Sequence, residues 1–255
     1  MGHVAHELMH VLGIWHMFTR DDRDNYITVD LTNVAAADQS KYNKFPASEI
    51  ISYTSYEYGS VMHHDTQYLA SSGSSLTPIS DKYLRTLGSN VISFYDISMI
   101  NYHYKCNGVC ATKGANCING GTRNPKNCNA CICPAGYGGL VCAQRPAGCG
   151  ETLIAATGWK SKKFSIGNAA VPTLRQAFTV CNHWVQAPAG KRVQVQVTDM
   201  TGVDCNNGCW AQAIEPKICC PGQLREILTS TTNLTPIVSY NRLLSSTFTF
   251  IYRYI

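Results

Sequence analysis

The alternation of apolar and polar residues changes character twice along the chain. Residues 1 to about 105 alternate helical and turn-rich stretches, and the first of these, VAHELMHVLG, has good helix formers and no proline. Residues 106 to 149 are rich in Gly, Asn, Pro and Cys and poor in large apolar side chains. Beyond them, KRVQVQVTD (191–199) and STFTFIYRY (246–254) have the period of two expected of half-buried strands. The pattern predicts an α+β multidomain chain that ends in a β-sandwich.

Composition excludes several classes of partner. The chain has 255 residues, of which 45% are hydrophobic, so it can bury a core in one large or several small domains. Its net charge is +5, but the basic residues are scattered and form no run that could follow a phosphate backbone. No apolar stretch approaches the roughly 20 residues of a membrane span. We therefore expect neither a nucleic-acid partner nor a membrane span.

The 13 cysteines all lie at or beyond Cys106. Such a dense group is typical of secreted disulfide modules, so we expect an oxidising, extracellular location. The opening MGHVAHELMH nevertheless lacks the basic start, apolar run and cleavage site of a signal peptide. We expect that the signal peptide was lost with a missing N-terminal part.

Histidines near the start of the chain have the spacing of metal ligands. His6 and His10 are four residues apart, which places both imidazoles on one face of a helix, and Glu7 lies beside them. Gly13 can adopt the left-handed conformation that ends a helix, and His16 would then turn back as a third ligand. A carboxylate at position 7 could move a proton during hydrolysis. The stretch predicts one Zn²⁺ per chain.

The alternative is an amphipathic core helix that happens to carry histidines. A bare HExxH occurs by chance, but a glycine and a third histidine at fixed offsets lower that chance by roughly two to three orders of magnitude. His3 lies one turn before His6 and fits no ligand offset, so we expect it to be a surface or core histidine.

Three stretches resemble the astacin branch of the metzincin proteases. HELMHVLGIWHMFTRDDRD (6–24) resembles the metzincin signature H-E-x-x-H-x-x-G-x-x-H with its astacin continuation. YEYGSVMHH (56–64) is similar to the astacin Met-turn, and SFYDISMINYHYKC (93–106) resembles the segment that closes the catalytic domain. The resemblance implies peptide-bond hydrolysis by a zinc-activated water. It implies His6, His10 and His16 as ligands, Glu7 as general base and then acid, and Met62 as an apolar floor beneath the histidines.

The sequence departs from the family pattern at two positions. Met17 stands where the family has a glutamate that reaches the new N-terminus after activation, and a thioether cannot make that link. His64 stands where the family has a tyrosine that approaches zinc and supports the oxyanion. His64 could act as a fifth ligand or support the oxyanion; alternatively, it packs or faces solvent.

The resemblance also implies that part of the catalytic domain is absent. Astacin catalytic domains are about twice as long as residues 1–106, which would be the C-terminal half of one, without the sheet that docks substrate. Twelve of the cysteines form two sets of six, which leaves Cys106 over. In the family its equivalent pairs with a cysteine in the N-terminal half.

Residues 107–148 resemble an epidermal growth factor-like (EGF-like) module because CICPAGYGGLVC has the spacing C-x-C-x8-C with an intervening G-Y-G-G. Spacing alone allows 15 connectivities, and a cysteine-rich zinc site is the alternative. The resemblance implies the pairs Cys110–Cys128, Cys117–Cys131 and Cys133–Cys142.

Residues 149–255 are similar to a CUB domain, a β-sandwich that often follows an EGF-like module in nematode astacin-like proteases. The expected bridge is Cys149–Cys181, and the pairing of Cys205, Cys209, Cys219 and Cys220 stays open. Asn233 begins the glycosylation sequon Asn-Leu-Thr.

Function is therefore expected in one of two classes. The first is a secreted zinc metalloendopeptidase with protein or peptide substrates, for which cuticle or extracellular-matrix proteins are family-level candidates. The second is a catalytically weak or inactive fragment that acts as an extracellular binding protein through its EGF-like and CUB modules. A purely structural extracellular protein would leave the histidine spacing to accident.

Overall fold

Helix α1 (Gly2–Val11) carries the histidine motif and opens the structure, a computed structural model that describes residues 2–255. The chain divides into two compact units, Met1–Gly108 and Val109–Ile255, each of which is described by itself. In the first unit, β1 (Ile27–Val29) pairs antiparallel with β2 (Leu76–Pro78), and α2 (Phe94–His103) follows.

A glycine ends α1 in the manner that the sequence predicts. Gly13 has φ +81°, its N–H bonds to the His10 carbonyl at 2.9 Å, and the Ile14 N–H bonds to the Met9 carbonyl at 3.0 Å. This pair of bonds is a Schellman motif, which reverses the chain direction after the helix. The expectation of a left-handed stop at Gly13 is confirmed.

Helix α2 begins at a capping box. The Ser93 hydroxyl accepts the Asp96 N–H at 3.0 Å, and the Asp96 carboxylate accepts the Ser93 N–H at 2.8 Å. Each bond satisfies a backbone donor that a helix start would otherwise leave unpaired.

One apolar core holds the first unit together. Its buried members come from α1, β1, β2, α2 and the loops between them: Met9, Ile14, Met17, Phe18, Ile27, Val34, Tyr42, Tyr56, Val61, Met62, Leu76, Leu87 and Met99. Most lie in loops, so the loops that carry the histidine cluster are held by the same core.

The second unit begins with a small hairpin. Strand β3 (Thr122–Asn124) pairs antiparallel with β4 (Asn127–Ile132), and bridges Cys110–Cys128, Cys117–Cys131 and Cys133–Cys142 surround it. These are the three pairs that the EGF-like resemblance implies. Cross-links replace the hydrophobic core that this segment lacks.

The remainder of the second unit contains two four-stranded sheets. The strands are β5 (Thr152–Ile154), β6 (Lys160–Gly167), β7 (Thr179–Gln186), β8 (Val193–Thr201), β9 (Gln212–Ile214), β10 (Ile227–Thr229), β11 (Leu234–Asn241) and β12 (Ser245–Tyr254). Their orders are β10-β8-β12-β6 and β5-β7-β11-β9, and every pairing is antiparallel except β5 with β7. Short 3-10 helices complete the chain at Met17–Thr19, Arg23–Asn25, Gln39–Tyr42, Asp81–Tyr83, Cys106–Cys110, Asn207–Cys209 and Pro221–Gln223.

The period-two stretches form central strands. In β8 the side chains of Val193, Val195 and Val197 are buried and alternate with more exposed residues, and in β12 Phe248 and Phe250 are fully buried. Strand positions that alternate in this way share one face of a sheet, and these faces form the core. Both predicted strands are confirmed.

The C-terminal cysteines are all bridged. Cys149 joins Cys181, while Cys205 joins Cys220 and Cys209 joins Cys219, which gives a pairing that the sequence left open. Among the described cysteines only Cys106, in the first unit, is free. Nowhere in residues 2–255 is there a helix with the length and apolarity needed to span a membrane.

Candidate metal centre

Three imidazoles converge at the end of α1. The Nε2 atoms of His6, His10 and His16 are each 3.1 Å from the other two. His6 and His10 come from successive turns of the helix, and the Schellman turn at Gly13 brings His16 back toward them. The structure therefore brings together the three residues expected as ligands.

The spacing of these nitrogens fits one shared metal ion. A triangle with 3.1 Å sides has its centre about 1.8 Å from each corner, whereas zinc–imidazole bonds are about 2.0–2.1 Å long. An ion slightly to one side of the triangle could therefore bond to all three nitrogens. Without a cation, three nitrogen lone pairs at this distance would repel one another.

Backbone carbonyls hold two of the rings by their other nitrogen. The Nδ1 atom of His6 lies 2.7 Å from the Val61 carbonyl, and that of His10 lies 2.9 Å from the Ile14 carbonyl. A carbonyl only accepts, so each Nδ1 carries the proton and each Nε2 keeps its lone pair for a metal.

Burial keeps the third imidazole neutral. The pKa of His16 is lowered to about 3 by burial first and then by His64, His10 and His6. Its ring stacks on Phe18 with 5.1 Å between centroids and 13° between planes. A neutral ring in a fixed orientation is the form that binds a cation.

A fourth imidazole reaches the same cluster. The Nε2 atom of His64 lies 3.2 Å from that of His16, and the ligand nitrogens of His6, His16 and His64 all lie within 4.8 Å of one another. The His64 ring stacks on Tyr68 at 3.8 Å and 16°. Its pKa is lowered to about 3, chiefly by burial and then by nearby histidines such as His6. His64 thus faces the histidine cluster rather than solvent.

The loop that resembles a Met-turn supports this cluster from within the core. Met62 is fully buried, and its carbonyl accepts the Met17 N–H at 3.0 Å. Met17 is 2% exposed, so a charged side chain at this position would have to enter an apolar core.

Unlike the buried Met17, Glu7 is exposed to solvent. It forms no hydrogen bond or ion pair with the part of the chain that the structure describes. Its carboxylate is therefore open to solvent. His3 is also exposed and lies outside the cluster.

A cavity of about 210 Å³ lies beside the third histidine. Its walls include Trp15, Met17, Phe45 and Met99. Arg20 also lines it, but its guanidinium already donates to Asp22 at 2.8 Å and to the Thr54 carbonyl at 2.9 Å.

Some supporting residues carry no local sequence signal. The Val61 carbonyl contacts His6, and the Asp96 carboxylate contacts Val61, through hydrogen bonds between residues 35 or more positions apart. Only the order of the three family-like stretches could have suggested that these segments meet.

The glycosylation sequon lies in the second unit. Asn233 is half-buried, and its side-chain amide donates to the Ala187 carbonyl at 3.1 Å.

Comparison with known proteins decides the family. A family model described as Astacin, a peptidase family, matches residues 1–105. Zinc metalloproteinase nas-25 of Caenorhabditis elegans is 35% identical over 275 aligned residues, which cover 100% of this chain and 68% of that protein. The chain belongs to the astacin family.

This chain matches only part of the length of two further similar proteins. Zinc metalloproteinase nas-32 of C. elegans is 38% identical over 271 residues, which cover 100% of this chain and 41% of nas-32. Among solved structures, the hatching enzyme zinc-protease High choriolytic enzyme 1 of Oryzias latipes is 33% identical. That match covers 41% of this chain and 52% of the enzyme, with a TM-score of 0.37. The chain thus spans less than half the length of nas-32.

Proposed function

We propose that the chain contributes the metal centre of a secreted zinc metalloendopeptidase. The observation that carries this proposal is the triangle of Nε2 atoms, 3.1 Å apart, on His6, His10 and His16. Two of these rings are oriented by backbone carbonyls, so the triangle does not depend on the metal alone for its arrangement. Membership in a family of zinc metalloproteinases supports the same function.

Each of the three histidines would supply one neutral nitrogen to a single Zn²⁺. Three protein ligands leave a coordination position for water or substrate, which is the arrangement of catalytic rather than structural zinc sites. When bound, zinc supplies Lewis-acid chemistry, which polarises the scissile carbonyl and lowers the pKa of water to about 7.

Glu7 would act as general base and then as general acid. It follows His6 on α1, and its carboxylate is exposed and has no protein partner among the described residues. A free carboxylate beside the first ligand can take a proton from the attacking water and return it to the leaving amine. Removal of this group would stop proton transfer but leave the three nitrogens in place.

His64 would serve the same centre as a fifth ligand or as a donor to the developing oxyanion. Its Nε2 atom is 3.2 Å from that of His16, and the stack on Tyr68 fixes its ring. A preoriented donor at that place stabilises charge that develops in the transition state.

The domain assignment that goes with this function has three parts. Residues 1–106 would be a partial astacin-like peptidase domain, 107–148 an EGF-like module and 149–255 a CUB-like β-sandwich. The six disulfides among residues 110–220 of the described chain require an oxidising compartment, which supports secretion. Protein or peptide substrates follow from the proposed activity, with cuticle or extracellular-matrix proteins as the family-level candidates, and Asn233 would carry a glycan.

A second function, binding without efficient catalysis, is favoured by one observation. Val4, Leu8 and Val11 form an apolar stripe on α1 that is 66%, 57% and 81% exposed. An exposed apolar stripe on one face of a helix is typical of a surface that packs against another polypeptide segment. The EGF-like and CUB-like modules would then carry the function.

Measurements of zinc content and of peptide cleavage distinguish the two functions. We expect one zinc per full chain, retention of zinc but loss of cleavage in Glu7→Ala, and loss of zinc in His6→Ala. His3→Ala is the matched control because His3 is an exposed histidine on the same helix, and it should keep both properties. Cleavage that survives Glu7→Ala would contradict the mechanism, whereas bound zinc without any cleavage would favour the binding function. The same measurements on a version extended upstream would show whether cleavage requires the longer chain.

A further inference from the structure

Asp96 is a fully buried carboxylate outside the histidine cluster. One of its oxygens accepts the Ser60 hydroxyl, and the other accepts the N–H of Val61 at 3.0 Å and the N–H of Ser93 at 2.8 Å. One side chain therefore joins the first turn of α2 to the Met-turn segment, residues 56–64.

The Met-turn segment contacts the histidine cluster through Val61, one of the residues that Asp96 binds. The Ser60 hydroxyl oxygen, bound to Asp96, also accepts the Met62 N–H at 3.0 Å. The carbonyl of Val61 accepts from His6 Nδ1 at 2.7 Å. Asp96 is thus connected to His6, a proposed metal ligand, through two hydrogen bonds and the single residue Val61.

Capping of α2 does not by itself explain the burial of this carboxylate. The Ser93 hydroxyl already caps the helix, and the carboxylate at the third position of a capping box can remain exposed. Burial is unfavourable for a charged carboxylate and raises the pKa of Asp96. Capping does not explain the hydrogen bonds that Asp96 accepts from Ser60 and Val61.

We propose that Asp96 is a positioning residue for the metal centre. It fixes the Ser60–Met62 backbone, and this backbone fixes the His6 ring through the Val61 carbonyl. The role rests on the proposed zinc site, because it is a role toward one of the three ligands.

Zinc affinity of the full chain, measured by competition with a chromogenic chelator, tests this role. Asp96→Ala should lower the affinity by roughly tenfold or more, as loss of an outer-shell partner typically does. Ser93→Ala is the matched control, since it removes the other half of the capping box but leaves the bonds to Ser60 and Val61. Its affinity should stay within about twofold of the unmodified chain. Asp96→Asn keeps an oxygen for both backbone donors and should recover most of the affinity.

Hydrogen exchange in the metal-free chain gives a second readout. The amides of Val61 and Met62 should exchange at least about tenfold faster in Asp96→Ala and remain slow in Ser93→Ala, because only the first variant removes their hydrogen-bond network. Equal zinc affinity in Asp96→Ala and Ser93→Ala, or unchanged exchange at both amides, would overturn the positioning role. Failure of the unmodified chain to bind zinc would instead overturn the metal centre, and the positioning role with it.

Discussion

At the scale of single residues, the positions of the four clustered histidines indicate different roles in metal binding and in catalysis. Three nitrogens form a closed triangle, while the fourth histidine, His64, is 3.2 Å from one corner. Departure from the family pattern at position 64 therefore places a fourth imidazole beside the three proposed ligands. We therefore expect His64 to affect the stabilisation of charge in the transition state more than it affects zinc affinity.

The two roles can be compared by removing one imidazole at a time. His16→Ala opens the triangle and should lower zinc affinity by more than about a hundredfold, because two ligands cannot replace three. His64→Ala leaves the triangle intact and should lower it by less than about tenfold. Chelator competition measures both values. Equal losses in the two variants would make His64 an obligatory ligand.

At the scale of elements, the end of α1 is as important as the helix itself. The helix places only His6 and His10, and the left-handed Gly13 sends the chain back so that His16 completes the site. Backbone geometry at Gly13 thus determines whether His16, the third proposed ligand, reaches the other two.

Gly13→Ala should lower the free energy of unfolding of the first unit by about 1–2 kcal/mol, since an alanine resists the left-handed conformation. Space is not the cause, because an added Cβ would meet nothing closer than His103 at 3.8 Å. The control is Gly108→Ala, another exposed glycine of the first unit, whose φ is not left-handed and whose added Cβ would touch nothing. Thermal unfolding followed by circular dichroism should show a loss in the first variant and none in the second; similar losses would contradict the explanation.

Local elements were predictable from the sequence, whereas their contacts were not. The stop at Gly13 and strands β8 and β12 depend on patterns within a few residues. The bond between His6 and Val61 joins positions 55 residues apart, and that between Val61 and Asp96 joins positions 35 apart. Such pairs carry no periodic signal, so only a family resemblance suggests that their segments meet.

At the scale of the whole molecule, the two units rely on different sources of stability. The first has a single apolar core and a free Cys106, while the disulfides of the described chain all lie in the second. The adjacent Cys219 and Cys220 bridge to different partners, and no local rule selects between the alternative pairings. The sequence could therefore predict a cross-linked second unit but not its complete connectivity.

The second unit also contains a buried histidine that should make its stability depend on pH. His183 on β7 is 2% exposed, and its Nδ1 atom has no hydrogen-bond partner among the described residues. Burial first, and then the charge of Lys162, lower its pKa from 6.5 to about 4. Between these values the unfolded chain binds a proton that the folded chain does not, so stability present above pH 6.5 is lost as the pH falls toward 4.

His183→Gln should remove about 1–2 kcal/mol of this pH dependence, a range reduced to allow for solvent screening. Denaturant unfolding followed by tryptophan fluorescence, at about pH 7 and about pH 4.5, measures the difference. The exposed His103→Gln is the control and should leave the dependence unchanged. An equally steep loss in His183→Gln would show that other groups cause it.

Zinc-edge X-ray absorption of the zinc-loaded full chain tests the central claim most directly, because it reports which atoms bind the metal. The account predicts at least three imidazole nitrogens at about 2.0–2.1 Å and no sulfur. A sulfur shell at about 2.3 Å, which would implicate Cys106, or fewer than three imidazoles would contradict it.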